Sequence, residues 1–323
     1  MNEAPDSLAG RSFPVRFRAY LAERFPLGSY ATLILLFLAA GHLSAQHLAG
    51  VDRVLITPRA GVGFVVVLLA FLVLRFLDEF KDYETDRKIH PERLVSRGVI
   101  RLGELGTAAV VSTILMLGAS ALLGWQALAW CGAILVMLLL LWREFFIPRL
   151  LGRSYAVFAA AHQLLHPALV GFCFATWIAP TGKALAVAGC YSLFAAFSFL
   201  AFDVGRKLVP PELEREGWET YSARYGMRPA VYGALALLAS AVLAACGMAF
   251  LLQLHVWVYP ALAIGGLLGG WGFVAFLRAP DGRRADKLKG SASLTMLLGF
   301  VIIAADLIAL HGVGFAANLG TLP

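Results

Sequence analysis

Apolar residues run along this chain in long unbroken stretches, separated by short polar and charged segments. Each stretch is about as long as the roughly 20 residues with which a helix spans a bilayer. Nine are predicted, over 27–46, 60–78, 104–124, 126–142, 155–177, 182–204, 228–253, 256–278 and 291–311. The fourth is short, and Gly124-Trp125-Gln126 reads as a tight turn that separates it from the third. The runs are continuous rather than alternating, which excludes a transmembrane β-barrel. An all-α, polytopic membrane protein is therefore expected. No linker or soluble domain is visible, so the chain divides into an N-terminal segment, 1–26, and one transmembrane domain, 27–323.

Composition agrees with that pattern. Of 323 residues, 60% are hydrophobic and 15% charged, with a mean hydropathy of +0.77. Charge adds an orientation, because Lys and Arg collect on the cytoplasmic side of membrane proteins. With nine spans and a cytoplasmic N-terminus, 24 of the 27 Lys and Arg residues fall in inner segments, and Arg53, Arg59 and Lys183 alone fall outside. The expected location is a cytoplasmic (inner) membrane. The net charge of +7 then belongs to one face, against anionic headgroups, and is no argument for nucleic acid. Residues 1–26 lack a signal-peptide layout. Cys131, Cys173, Cys190 and Cys246 lie inside predicted spans without ligand spacing, and read as small buried hydrophobes rather than disulfide partners.

Acids are expensive at membrane depth and mark candidate chemistry. Of 20, six fall between Asp78 and Glu92, and Asp203, Glu212, Glu214, Glu216 and Glu219 gather after the sixth span. Both clusters sit in expected cytoplasmic loops, 78–102 and 203–227, four helices apart, which hints at an internal pseudo-repeat. In the first, Asp78, Asp82 and Asp86 recur every four residues, so a helix stacks them on one face despite their repulsion. With Glu79 they suit Mg²⁺, which takes one or two carboxylates and completes its octahedron with water and phosphate oxygens. Lys81, Arg87, Lys88, Arg93 and Arg97 stand ready to grip phosphate. The plainer alternative is a solvated cap with compensating pairs such as Glu84–Lys88.

These residues resemble the UbiA superfamily of intramembrane prenyltransferases. Its first motif, N-D-x-x-D-x-x-x-D followed by an Arg-Pro stretch ending in Gly, is resembled by Asp78-Glu79-x-x-Asp82-x-x-x-Asp86, Arg93 and Gly98, with Asp78 in the Asn position, Glu79 in that of the first Asp and Leu94 in the proline position. Its second, D-x-x-x-D, is matched by Asp203, but Lys207 stands where the next acid belongs. Glu212, Glu214 and Glu216 follow Pro210-Pro211, and Gly217, Thr220 and Ser222 resemble the family's downstream stretch. The resemblance implies nine helices around a central cavity and Mg²⁺-dependent transfer of an isoprenyl group from a polyprenyl diphosphate to an acceptor. It implies metal ligands among Asp78, Glu79, Asp82, Asp86, Asp203 and Glu212, with Asp82, Asp86 and Asp203 catalytic. Lys81, Arg93, Arg143, Arg206 and Lys207 are the implied diphosphate contacts. At the second motif two arrangements stay open: Asp203 with a displaced glutamate on metal, or Arg206 and Lys207 on phosphate in its place. The implied partners are an isoprenoid diphosphate and the lipid bilayer; the sequence discloses no acceptor, chain length or oligomeric state.

Three other activities fit the same residues. Asp86-Arg87-x-x-His90-Pro91 resembles a stretch of those relatives that transfer phosphoribosyl from its diphosphate to a polyprenyl phosphate. An intramembrane terpene cyclase would trap the prenyl cation internally. A transporter or non-catalytic membrane protein belongs to a different class, although matching Gly/Pro-broken spans are lacking. His162 and His166, spaced i, i+4 on the fifth span, are expected to line a polar cavity or bond a neighbouring helix, and Asp306 to pair across helices or lie near the outer end.

Overall fold

A computed structural model describes residues 8–179, 181–214 and 220–316. A short helix, α1 (Phe13–Arg24), precedes α2 (Leu27–Leu48), strand β1 (Val54–Ile56) and α3 (Pro58–Ile89). Then come α4 (Leu102–Leu122), α5 (Trp125–Trp142), a 3-10 turn at Glu144–Phe146, α6 (Pro148–Leu151), α7 (Tyr155–His162) and α8 (Leu165–Ala175). The remainder is α9 (Lys183–Arg206), a 3-10 turn at Pro211–Leu213, α10 (Tyr221–Tyr225), α11 (Met227–Leu252), α12 (Val258–Arg278), α13 (Gly282–His311) and strand β2 (Val313–Phe315). Among the described residues, nine helices, counting α7 and α8 together, are long and apolar enough to cross a membrane. This is a polytopic membrane protein. The boundaries follow familiar chemistry: Pro58 opens α3 at a position where no amide partner is needed. Gly124, at φ +104°, makes the turn between α4 and α5. Asp281 caps α13 by accepting from the Arg284 amide at 2.7 Å.

Two spans outrun their apolar runs. α3 has 32 residues, about 48 Å of helix, whereas a hydrocarbon core of about 30 Å accounts for roughly 20. Its surplus lies at the C-terminal end and carries Asp78 through Asp86, so the segment expected as a loop from residue 78 is helical to Ile89. The repulsion among its stacked acids is offset by arginines from α1 and from the following turn. α13 likewise starts at Gly282 rather than near 291, its first turns being basic and solvated. The fifth span is interrupted at 163–164, between α7 and α8.

The helices follow one another in contact, and α13 packs on α2 to close the arrangement. Its interior is aromatic: Phe300 meets Phe37, Tyr191 and Phe194 edge-on, and the Tyr191 hydroxyl donates to the Phe37 carbonyl. Helices α12 and α13 approach so closely that a Cβ on Gly269 would lie 2.7 Å from the Ser291 carbonyl oxygen. Small residues allow such contact where van der Waals packing is the main cohesion. At the end away from the acids, β1 pairs in parallel with β2, Val54 opposite Val313, and Gln46 bonds both backbone groups of Leu55. There too the buried Arg59 donates to the Leu123 and Thr176 carbonyls, at 2.8 and 3.1 Å.

Candidate functional site

The charged end of the bundle gathers the C-terminal turns of α3, the start of α7, the end of α9, α10 and the turn at Glu144–Phe146. Along α3 the acids meet different fates, set by which arginines reach them. Glu79 is buried and belongs to α1: Arg24 Nε lies 2.8 Å from its Oε1, Arg75 reaches the same oxygen at 3.2 Å, and the Tyr20 hydroxyl donates to it at 3.4 Å. Burial and that carboxylate hold the Tyr20 hydroxyl well above the usual tyrosine range. Asp86 is bound by Arg93 and lies 3.5 Å from Arg24. Arg16 completes the fastening of α1 with two bonds to Glu104 and one to the Val99 carbonyl. Beside it the Glu23 carboxylate, raised above its ordinary range by burial, accepts from the Leu94 amide at 3.3 Å.

Asp78 and Asp82 are left for other work. Asp78 meets Arg75 only at 3.9 Å. Asp82 is half-buried and makes no hydrogen bond or ion pair among the described residues, while the charges of Asp78, Lys81 and Asp86 act on it. Lys81 crosses from α3 to the opposite wall, 3.4 Å from Glu144 and 4.6 Å above the Phe158 ring. Glu144, Phe145 and Phe146 are all left-handed, with φ of 48°, 54° and 58°. Three such non-glycine residues in a row store backbone strain, which persists only where surroundings over-determine it; the Lys81–Glu144 contact is one such restraint.

On the facing wall, Asp203 accepts from Arg206, Lys207 and the Tyr221 hydroxyl. Burial and Asp203 push the Tyr221 hydroxyl far above the normal tyrosine range. Lys207 in turn bonds the Tyr155 hydroxyl and lies 4.9 Å from its ring, which packs on Tyr221 with centroids 4.6 Å apart. On α7, the charges of Lys81, Asp78 and Asp203 all act on the His162 ring. Its Nδ1 lies 2.8 Å from the Phe158 carbonyl. A carbonyl only accepts, so Nδ1 carries the proton and Nε2 is the basic atom of the neutral ring.

The structure thus sets Asp78, Lys81 and Asp82 together on α3, and Asp203 and Lys207 together at the end of α9 with Tyr155 and Tyr221. Arg206 joins from a half-exposed position. Arg143 stays outside, exposed and stacked 4.3 Å over Trp142. Glu212 is exposed on its 3-10 turn, and Glu214 instead accepts from Thr220 and Ser222 to tie its own loop. Glu216, Gly217 and Glu219 lie outside the described residues. Among the described residues no three His, Cys, Asp or Glu side chains are grouped to hold a metal. His162 and His166 do not act as a pair: each bonds its own helix backbone, and His166 packs on Phe199 instead. Asp306, fully buried, takes the His255 amide and ring at 3.0 and 2.9 Å, so it pairs with the turn between α11 and α12 rather than with another helix. Tyr155, Tyr221 and Arg24 carried no local signal: two are aromatics in loop-flanking segments and the third is far along the chain from its partner.

No family model matches the sequence, and no curated protein matches it. Two solved structures share its fold. One, from a study of digeranylgeranylglyceryl phosphate synthase in membranes, superimposes with a TM-score of 0.63 at 18% identity, over 91% of this chain and 99% of that one. The other, a UbiA homolog from Aeropyrum pernix K1 in its apo form, gives 0.62 at 17% identity, over 87% of this chain and 98% of that one. The chain has the fold of the UbiA-family prenyltransferases, over nearly the whole length of both.

Proposed function

We propose that the protein is an intramembrane prenyltransferase that moves an isoprenyl group from an isoprenoid diphosphate to an acceptor, working at the cytoplasmic face of an inner membrane. One observation carries the reading: in a UbiA-type fold, the Asp82 carboxylate, without hydrogen bond or ion pair among the described residues, stands one turn from Asp78 and next to Lys81 on α3. The sequence pattern that assigns 24 of 27 Lys and Arg residues to inner segments supports the cytoplasmic assignment.

Asp78 and Asp82 fit Mg²⁺, which needs one or two protein carboxylates and takes its remaining ligands from water and phosphate. Glu79 and Asp86 are already neutralised by arginine and serve to hold α3 in place. Bound at Asp78 and Asp82, Mg²⁺ would supply positive charge against the oxygens of the departing diphosphate. In the reaction the bond between the allylic carbon and the diphosphate oxygen breaks, its electron pair leaving with the diphosphate. Lys81, fixed by Glu144 and Phe158, presents an ammonium to that growing charge without having to reorganise. The bilayer-embedded apolar interior keeps water from the allylic cation. The acceptor adds to that carbon, and its proton passes to His162 Nε2.

The test uses purified protein in nanodiscs, supplied with labelled isoprenoid diphosphates of several lengths, with and without Mg²⁺. Diphosphate release that requires Mg²⁺ and falls in Asp82→Ala supports the reading. Release only from phosphoribosyl diphosphate with a polyprenyl phosphate would replace it with that transfer. A cyclic hydrocarbon formed without an acceptor would make the protein a cyclase, and no release from any donor would place it outside enzymes of this kind.

A further inference from the structure

We propose that His47 and His311 form a proton-operated clip between α2 and α13, bonded while at least one ring is neutral and released when both are protonated. His47 lies in the last turn of α2, and His311 is the last residue of α13, 264 positions later. His47 Nδ1 and His311 Nε2 are 2.7 Å apart, within the range of a bond donated by an N–H. The ring centroids are 5.0 Å apart and the planes cross at 68°. That separation is the contact plus one ring radius at each end, so the two nitrogens point at each other along the line joining the rings. Such an alignment needs a proton on one nitrogen and a lone pair on the other.

Imidazole chemistry sets the switch. Two neutral rings supply one N–H and one lone pair to the contact. A first added proton settles on the free nitrogen of the donor ring, and the bond gains from the charge. A second leaves N–H facing N–H and two positive rings in contact, and the bond is gone. Any donor and acceptor would fasten two helices; two imidazoles make a fastening that answers to pH between about 5 and 8.

The surroundings do not cancel that second charge. Lys183 on α9 acts on the His47 ring, as does the Leu252 carbonyl at the end of α11. Asp306 is taken by the His255 amide and ring, and Arg59 on α3 donates to the Leu123 and Thr176 carbonyls. His42, further down α2, accepts from Trp177. Asp52 and Arg53, ahead of β1, are exposed and opposite in sign. The clip sits at the root of the strand pair: Gly312, next to His311, accepts from the Val54 amide at 3.2 Å. Both rings are half-buried at the mouth of the bundle, where protons reach them. With the acids at the cytoplasmic face, this end faces the other compartment.

The test uses full-length protein labelled with ¹⁵N-histidine in nanodiscs. A scalar coupling between ¹⁵N nuclei across the hydrogen bond reports the contact directly. It is expected at about pH 7.5 and lost at about pH 4.5, above and below the ordinary imidazole value of about 6.5. It should be missing in His311→Gln at either pH. No coupling at the higher pH, or coupling that persists at the lower, overturns the proposal. Melting temperature gives a second measure. The unfolded chain takes a proton on each ring and the bonded pair takes one, so acid favours unfolding. The fall between the two pH values should be steeper in the wild type than in His311→Gln, whose amide still bonds His47 but takes no proton. Equal falls overturn the proposal.

Discussion

Arg24 and Glu79 are 55 positions apart in sequence and 2.8 Å apart in space. The contact joins α1 to the one acid of α3 that is buried, and it accounts for how a helix carries stacked carboxylates past the end of its apolar run. Arg24→Ala leaves Glu79 with Arg75 and Tyr20 alone, so partial compensation persists. A loss of about 1.5–3 kcal/mol is expected, the range for a hydrogen bond to a charged group. Thermal unfolding in detergent would register it, and an unchanged midpoint would mean that α1 contributes nothing to the stability of α3.

Glu79 and Asp82 are separated by a single turn yet should respond oppositely to divalent ions. Mg²⁺ or Mn²⁺ at 100 times its dissociation constant stabilises a folded protein by about 2.7 kcal/mol. That increment should vanish in Asp82→Asn and on adding a chelator. It should survive in Glu79→Gln, although that variant starts from a lower melting temperature. Loss of the ion response in Glu79→Gln with retention in Asp82→Asn would reverse the assignment of the two acids.

Tyr221 supplies a pH dependence. Burial first, and Asp203 second, raise its hydroxyl above the usual value, so the folded protein keeps a proton that the unfolded chain releases near pH 10. A group raised in this way stabilises fully below the unfolded value and loses that contribution as pH climbs toward the folded one. Melting temperatures taken from pH 8 to 11 should therefore decline more steeply in the wild type than in Tyr221→Phe. The variant should also start about 1 kcal/mol lower, for the hydrogen bond to Asp203. Parallel declines would show that Tyr221 ionises normally.

Gly269 tests the α12–α13 crossing. A methyl there meets the Ser291 carbonyl, backbone that no rotamer change can move, so Gly269→Ala should cost about 1–3 kcal/mol as overpacking. Gly118→Ala, with nothing within 4 Å of the added carbon, should be neutral or slightly stabilising. Equal melting temperatures for the two variants would contradict the close approach.

The nine spans were legible because apolar length is itself the physical requirement for crossing a bilayer, and their expected limits lie within a few residues of most observed ones. The common face of Asp78, Asp82 and Asp86 was legible from helical period alone. What was hidden depends on distant partners. The continuation of α3 to Ile89 needs Arg24, whose place beside Glu79 no local pattern announces. Spacing could group Glu79 with its neighbours but could not tell which acids turn toward α1. The left-handed run at Glu144–Phe146 has no glycine or asparagine to mark it, and Tyr221 looks like any aromatic until it meets Asp203. His162 stood out in the sequence for its spacing from His166, whereas the bond of its ring to the Phe158 carbonyl had no such signal.

The short parallel pairing of β1 with β2 bears on the order of assembly during synthesis. Val54–Ile56 leave the ribosome early and wait, with an unpaired edge, until Val313–Phe315 arrive after all nine spans have been inserted. Contacts of such high sequence separation form late and slowly. The strand pair therefore acts as a late latch on a bundle that α13 has already closed against α2, and a chain interrupted before residue 313 would leave the backbone edge of Val54–Ile56 unpaired with β2.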